Sequence, residues 1–176
     1  MLHFTKINGK HTNMDLHQIS VTAIIFKGDK FLITKRAAHK KVHPNRWTVP
    51  GGKITVDDYK NTPQSVPSAW YYPFENGLRR EIKEESGLEI KDIQFLIDMV
   101  LSAGDVPILV LSYYAEYVSG EVKIDEDTVE FAWVTVAEAG KYDLIEGIYE
   151  EIVMADKILK GADPRTVKFE PRTYDR

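Results

Sequence analysis

One short stretch gathers three carboxylates and an arginine: Arg80-Glu81-Ile82-Lys83-Glu84-Glu85-Ser86-Gly87-Leu88. On a helix of about 100° per residue, Arg80, Glu84, Glu81 and Glu85 fall in that order around an arc of about 140°. Leu78 and Ile82 sit beside the arc and would anchor the helix to a core. Carboxylates crowded on one face repel each other, a cost that a purely structural helix seldom accepts without compensation. A hard divalent cation is one compensation, because Mg²⁺ or Mn²⁺ takes clustered carboxylate oxygens together with phosphate and water. Arg80 can bond Glu84 one turn on, or reach a phosphate. The bland alternative is a solvated surface helix laced with salt bridges.

The wider pattern decides between them. The nine positions match R-E-U-x-E-E-x-G-U, with U aliphatic, and Pro50-Gly51-Gly52-Lys53 lies upstream. In this the sequence resembles the Nudix hydrolase superfamily, whose box reads G-x5-E-x7-R-E-U-x-E-E-x-G-U. The downstream half matches at Arg80, Glu81, Ile82, Glu84, Glu85, Gly87 and Leu88. The upstream half departs from it. The acidic position counted from Gly52 is Asp58 rather than Glu, and residues 59–79 separate it from Arg80 where the family has seven. Counting back from Arg80 would put Tyr72 there instead. Asp58 keeps an acid and leaves one insertion, at about 59–72.

The resemblance implies an α/β (α+β) fold, a mixed sheet sandwiched between helices. It implies hydrolysis of a diphosphate linkage with Mg²⁺ or Mn²⁺ as cofactor. The substrate would be a small nucleoside diphosphate derivative: a nucleoside triphosphate, a nucleotide sugar, ADP-ribose or a dinucleoside polyphosphate. Glu81, Glu84 and Glu85 would ligate metal, one of them assisting the water. Arg80 would orient the carboxylates, and Gly51 and Gly52 would let the backbone approach metal or phosphate. Phosphoryl transfer also needs cations on the phosphate oxygens. Arg36 and Lys53 are the residues expected there, though Arg36 equally reads as an exposed strand-end arginine. A further ligand or base from outside the box would come from Glu126, Asp127 or Glu130.

Other classes fall away on composition. The chain has no cysteine, which excludes a thiol nucleophile, a Cys-ligated metal site and the cysteine-dependent isopentenyl diphosphate isomerases of related fold. A net charge of −4 argues against a nucleic-acid coat. No apolar run approaches membrane-spanning length, and the polar N-terminus carries no secretory h-region, so a cytoplasmic location is expected. A non-catalytic Nudix-like nucleotide sensor stays as the alternative function.

Charge is unevenly spread. Basic residues dominate from Lys27 to Lys53, and acidic ones from Glu116 to Glu130. These are two solvated loops, or the phosphate-holding and metal-holding walls of a divided site. His39 and His43 stand four apart in an apparent loop, and read as exposed rather than as ligands. Trp70-Tyr71-Tyr72 could lid the cleft and stack a base, or pack a small local core or a homodimer contact.

The elements that must position these groups follow from periodicity. Strands are expected at His17–Phe26, Phe31–Thr34, Trp47–Pro50, Ile90–Met99, Ile108–Val118 and Phe131–Val134. A turn is expected around Ala103-Gly104-Asp105. Pro73 and Gly87 bracket a helix at about Phe74–Ser86. Thr135 with Glu138 has capping-box spacing. The apolar period over Leu144–Leu159 predicts a last helix, stopped at Gly161. The domain is therefore read as 17–161, with an arm at 1–16 and a poorly ordered tail at 162–176.

Overall fold

The computed structural model describes residues 16–102 and 105–173. Ala103 and Gly104 of the expected turn lie outside the described residues, as do residues 1–15 of the arm. In chain order the strands are β1 (Gln18–Lys27), β2 (Lys30–Arg36), β3 (Trp47–Thr48), β4 (Gly51–Lys53), β5 (Glu89–Leu101), β6 (Ile108–Ser119) and β7 (Thr128–Val134). The helices are α1 (Asp57–Lys60), α2 (Pro73–Ser86), α3 (Val136–Ala139) and α4 (Ile148–Leu159). The sheet runs β3-β2-β1-β6-β5, with β4 added on β1 and β7 on β2. β1 and β6 are parallel, and the other pairings are antiparallel.

Alternation along the central strands builds two cores. Ile24, Phe31 and Ile33 point to one face and pack with Ile148, Ile152 and Ala155 of α4. Val21, Ala23, Ile25 and Leu32 point to the other and pack with Leu78 and Ile82 of α2. The period-two pattern thus sandwiches one mixed sheet between helices, the expected fold class.

Local chemistry sets the boundaries. Pro50 has no N–H to give a ladder, and the strand expected over Trp47–Pro50 breaks there into β3 and β4. Helix α2 takes Pro73 at its first turn, and Gly87, at φ 72°, closes it by donating its N–H to the Lys83 carbonyl. Thr135 and Glu138 form the reciprocal capping box at the start of α3.

The last helix is shorter than its apolar period predicts. Gly147 sits at φ 93°, outside the right-handed helical region, so α4 begins at Ile148. Leu144 and Ile145 belong instead to a segment stitched to Trp47. The Trp47 N–H donates to Asp143, and the Ile145 N–H donates to Trp47.

Residues 162–173 contain no helix or strand, yet they lie against α4. Arg172 donates to Glu150 at 2.7 Å and its guanidinium stacks over Tyr149. Among the described residues no helix is long and apolar enough to cross a membrane.

Candidate functional site

The site forms where β4 meets α2. β4 pairs with β1 in the register Thr22–Gly51, Val21–Gly52 and Ser20–Lys53, which presents the two glycines at a sheet position beside the helix. Gly51 is required sterically, and Gly52 leaves room for a side chain of α2. Gly51 has φ 154°, and a Cβ there would run into the Val21 carbonyl. A Cβ on Gly52 would run into the Glu81 carboxylate. With Leu78 and Ile82 buried in the core, helical geometry turns Glu81 and Glu85 toward β4. The Gly51 N–H donates to Glu85 Oε2 at 3.1 Å. Burial pushes the Glu85 carboxyl up to about 7; the Gly51 N–H opposes this and the Glu81 charge adds to it.

Arg80 organises the neighbourhood. Its guanidinium donates to Asp58 at 2.6 and 3.1 Å, to Glu84 at 2.8 Å and to the Lys53 carbonyl at 3.0 Å, and it pairs with Glu81 at 2.9 Å. Asp58 is the buried member, its side chain only 1% exposed. The Thr55 N–H also donates to it at 2.7 Å. The bond from Arg80 holds the Asp58 carboxyl below its ordinary value, against burial. Asp58 thus ties the loop after β4 to α2, and Arg80 ties both to the carboxylates. Gly77 makes room for this contact, since a Cβ there would press on Ile54 and stand 3.2 Å from Asp58 Oδ2.

A cleft of about 970 Å³ opens at this junction. Glu81, Glu85, Gly51 and Gly52 line it together with Arg36, Lys40, Lys41 and Lys53. Glu84 is not brought into it; that side chain is 61% exposed and bonded to Arg80. Arg80 touches the carboxylates rather than the cleft. Among the described residues no group of three or more His, Asp or Glu side chains is gathered closely enough to hold a metal ion by itself. The two carboxylates in the cleft fit a smaller share of a shell. Their hard oxygens suit Mg²⁺ or Mn²⁺ with phosphate and water completing the coordination.

The two charged stretches resolve differently. The basic one divides: Arg36, Lys40, Lys41 and Lys53 reach the cleft, whereas Lys35 pairs with Glu130 and Arg46 with Asp143 and Glu146. The acidic stretch from Glu116 to Glu130 does not line the cleft, whose acidic wall is α2. Asp127 is bonded by His39 and Lys40. Asp125 is the member whose charge is felt at Glu85.

His39 and His43 do not converge, as His43 lines the cleft while His39 bonds Asp127. Trp70 packs on Tyr59, with ring centroids 5.5 Å apart, and donates to the Thr62 carbonyl, while Tyr71 and Tyr72 are exposed. None of the three lines the cleft.

Sequence reasoning passed over Lys40 and Lys41 as site residues, because the loop over Ala37–Asn45 has no period to aim them. It also passed over Glu151, which sits in the apolar stripe Ile148, Ile152, Ala155 of α4 and is 1% exposed. A carboxylate at a core position was the available signal.

No family model matches the sequence, and no curated protein does. Solved structures do match. The Nudix domain of Shewanella oneidensis NrtR, complexed with ADP ribose, superposes with a TM-score of 0.63 at 18% identity, over 86% of this chain and 94% of that one. The MutT protein of Methanosarcina mazei gives 0.62 at 18% identity, over 86% and 100%. An ADP-ribose pyrophosphatase of Streptococcus suis gives 0.60 at 18%, over 84% and 96%. The chain has the Nudix hydrolase fold.

Proposed function

We propose that this chain is a Nudix pyrophosphohydrolase, which cleaves a diphosphate linkage in a nucleoside diphosphate derivative with the help of Mg²⁺ or Mn²⁺. The observation that carries the reading is the mixed lining of the cleft. Two carboxylates of the Arg80–Leu88 motif, beside Gly51 and Gly52, share it with four cationic side chains. A divalent ion bound there would neutralise phosphate charge and favour attack by water. Glu81 and Glu85 are the residues that would hold it. Glu84, on the same helix and bonded to Arg80, is the third carboxylate that would serve it.

The protein groups have separate tasks. Arg36, Lys53, Lys40 and Lys41 bind the phosphate oxygens and hold the chain of phosphates in line. Gly51 and Gly52 line the cleft in which the phosphates would lie. Arg80 is a positioning residue that acts through Glu81 and Asp58.

The test is a phosphate-release screen with Mg²⁺ over nucleoside triphosphates, nucleotide sugars, ADP-ribose and dinucleoside polyphosphates, run beside Glu85→Gln. Turnover of at least one class, lost in the variant, supports the reading. Inactivity of the wild type on every diphosphate refutes it. The second reading is a nucleotide-binding domain without turnover; the similar NrtR domain is complexed with ADP ribose. That reading requires retained nucleotide binding in an inactive wild type.

A further inference from the structure

The loop after β2, residues 37–45, brings Lys40, Lys41, Val42 and His43 to the cleft. It contains no helix or strand to set its shape. His43 and Asn45 sit in it at φ 50° and 60°, a backbone region that side chains seldom adopt and that persists where the surroundings fix it. Part of the fixing is local. The Arg36 N–H donates to the Arg46 carbonyl at 3.0 Å, and the Arg36 guanidinium to the Val42 carbonyl at 3.1 Å.

The rest comes from Asp127, on the turn before β7. The Ala37 N–H donates to the Asp127 carbonyl at 2.9 Å. The Lys40 ammonium stands 2.7 Å from Asp127 Oδ2, and His39 Nε2 stands 2.9 Å from Oδ1. That turn is itself closed. Asp125 Oδ1 accepts from the N–H groups of Asp127 and Thr128 at 2.8 and 2.7 Å, a self-bonded turn of the kind aspartate favours. A chain of contacts therefore runs from the start of β7 through Asp127 to Lys40.

Lys40 lies at the chemical end of the cleft, since its charge is felt at Glu85. An ammonium has three donors, so one given to Asp127 leaves two for phosphate oxygens. The pair also selects among the many rotamers of the lysine stem before a ligand arrives. Lys40, and after it His39, hold the Asp127 carboxyl below its ordinary value. A carboxylate so held, with both oxygens engaged, is a poor base for water.

We propose that Asp127 is a positioning residue of the cleft, which anchors the 37–45 loop and aims the Lys40 ammonium at the substrate phosphates, and that it is neither a metal ligand nor the base. The proposal rests on the reading of the cleft as a diphosphate site, and deepens it by naming what orders its cationic groups.

Three measurements test it without turnover. The Lys40 and Asp127 side chains are 27% and 49% exposed, so their pair adds little to global stability and Asp127→Asn should fold. In that variant the amides of Ala37, Lys40 and Arg46 should exchange hydrogen about fivefold or more faster than in wild type, while core amides keep their rates. Unchanged loop rates overturn the anchor. Inorganic pyrophosphate is then titrated without metal. Asp127→Asn should raise its Kd by about fivefold in the wild-type background and by less than about twofold in Lys40→Ala, because the effect runs through Lys40. A fall in Kd, an equal rise in both backgrounds, or a wild type that binds no pyrophosphate overturns the proposal. Mn²⁺ alone should bind Asp127→Asn within about twofold of wild type; a loss of about tenfold or more would make Asp127 a metal ligand and overturn it. Asp127→Ala carries the same expectations, so a poorly folded Asp127→Asn leaves the test intact. A wild type and variants that behave as expected, with no diphosphate hydrolysed, would refute the hydrolase and keep the role of Asp127.

Discussion

Replacing Asp58 by Asn should destabilise the protein by about 2–3 kcal/mol. The carboxylate is 1% exposed and takes two hydrogen bonds from Arg80, one at 2.6 Å, and a third from the Thr55 N–H. Breaking a buried ion pair costs about 3–5 kcal/mol when the survivor is stranded. Arg80 is not stranded. It is 32% exposed and keeps Glu81, Glu84 and the Lys53 carbonyl, which brings the cost toward the lower figure. The amide also presents N–H groups to a guanidinium that has only donors.

Urea unfolding reads this as a fall in midpoint of about 1 M at an unchanged slope. The neighbouring Asp57→Asn, on an exposed side chain, should stay within about 0.5 kcal/mol. The pH dependence has a definite sign. Arg80 holds the folded Asp58 below its ordinary value of 3.8, so the contribution is complete above that value and is lost as pH falls through the lower, folded one. The gap between wild type and Asp58→Asn must close on acidification. A loss below about 0.5 kcal/mol at pH 7, or a gap that widens below pH 4, would refute the reasoning.

Further outcomes follow from the same contacts. Gly52→Ala should displace the Glu81 carboxylate, lowering kcat by about tenfold or more with little change in thermal midpoint. Arg36→Ala and Lys53→Ala should mainly raise KM, by about tenfold each, and make KM less dependent on salt than in the wild type. Glu151, raised by burial from 4.5 to about 7, keeps a proton in the folded state that the unfolded state releases. Stability should therefore decline as pH rises through that window, by about 3 kcal/mol in all. Glu151→Gln should remove its share of the slope between pH 5 and pH 8 in urea unfolding, leaving the share of Glu85, which burial raises over the same window.

The helix of the site was readable because its signals are local and agree. Pro73 starts it, Gly87 ends it, Leu78 and Ile82 anchor it, and a nine-residue motif fills the exposed face. Asp58 was readable only through the family's spacing, and its bond to Arg80 gives that choice a physical basis. The start of α4 was not readable from the apolar period, which ran on through Leu144 and Ile145. What interrupts it is the backbone of Gly147, and a glycine inside a periodic run carries no signature of its own φ.

The acidic stretch misled for a different reason. Glu116 and Glu130 are paired by lysines of neighbouring strands, Lys91 and Lys35, and such long-range partners are invisible in local charge. Lys40 and Lys41 reach the cleft from a loop without regular structure, so nothing in their spacing aimed them. Glu151 was visible as a misplaced charge in an apolar stripe, and the hollow that it lines is made by five separate segments.

The central claim is that Glu81 and Glu85 bring a divalent ion to a diphosphate in this cleft. The most direct measurement is kcat/KM on the best nucleotide substrate, as a function of Mg²⁺, for wild type, Glu81→Gln and Glu85→Gln. The account predicts no turnover without the ion, and a loss of about a hundredfold or more in each variant while the fold is retained. Metal-independent turnover, or variants within about twofold of wild type, would contradict it.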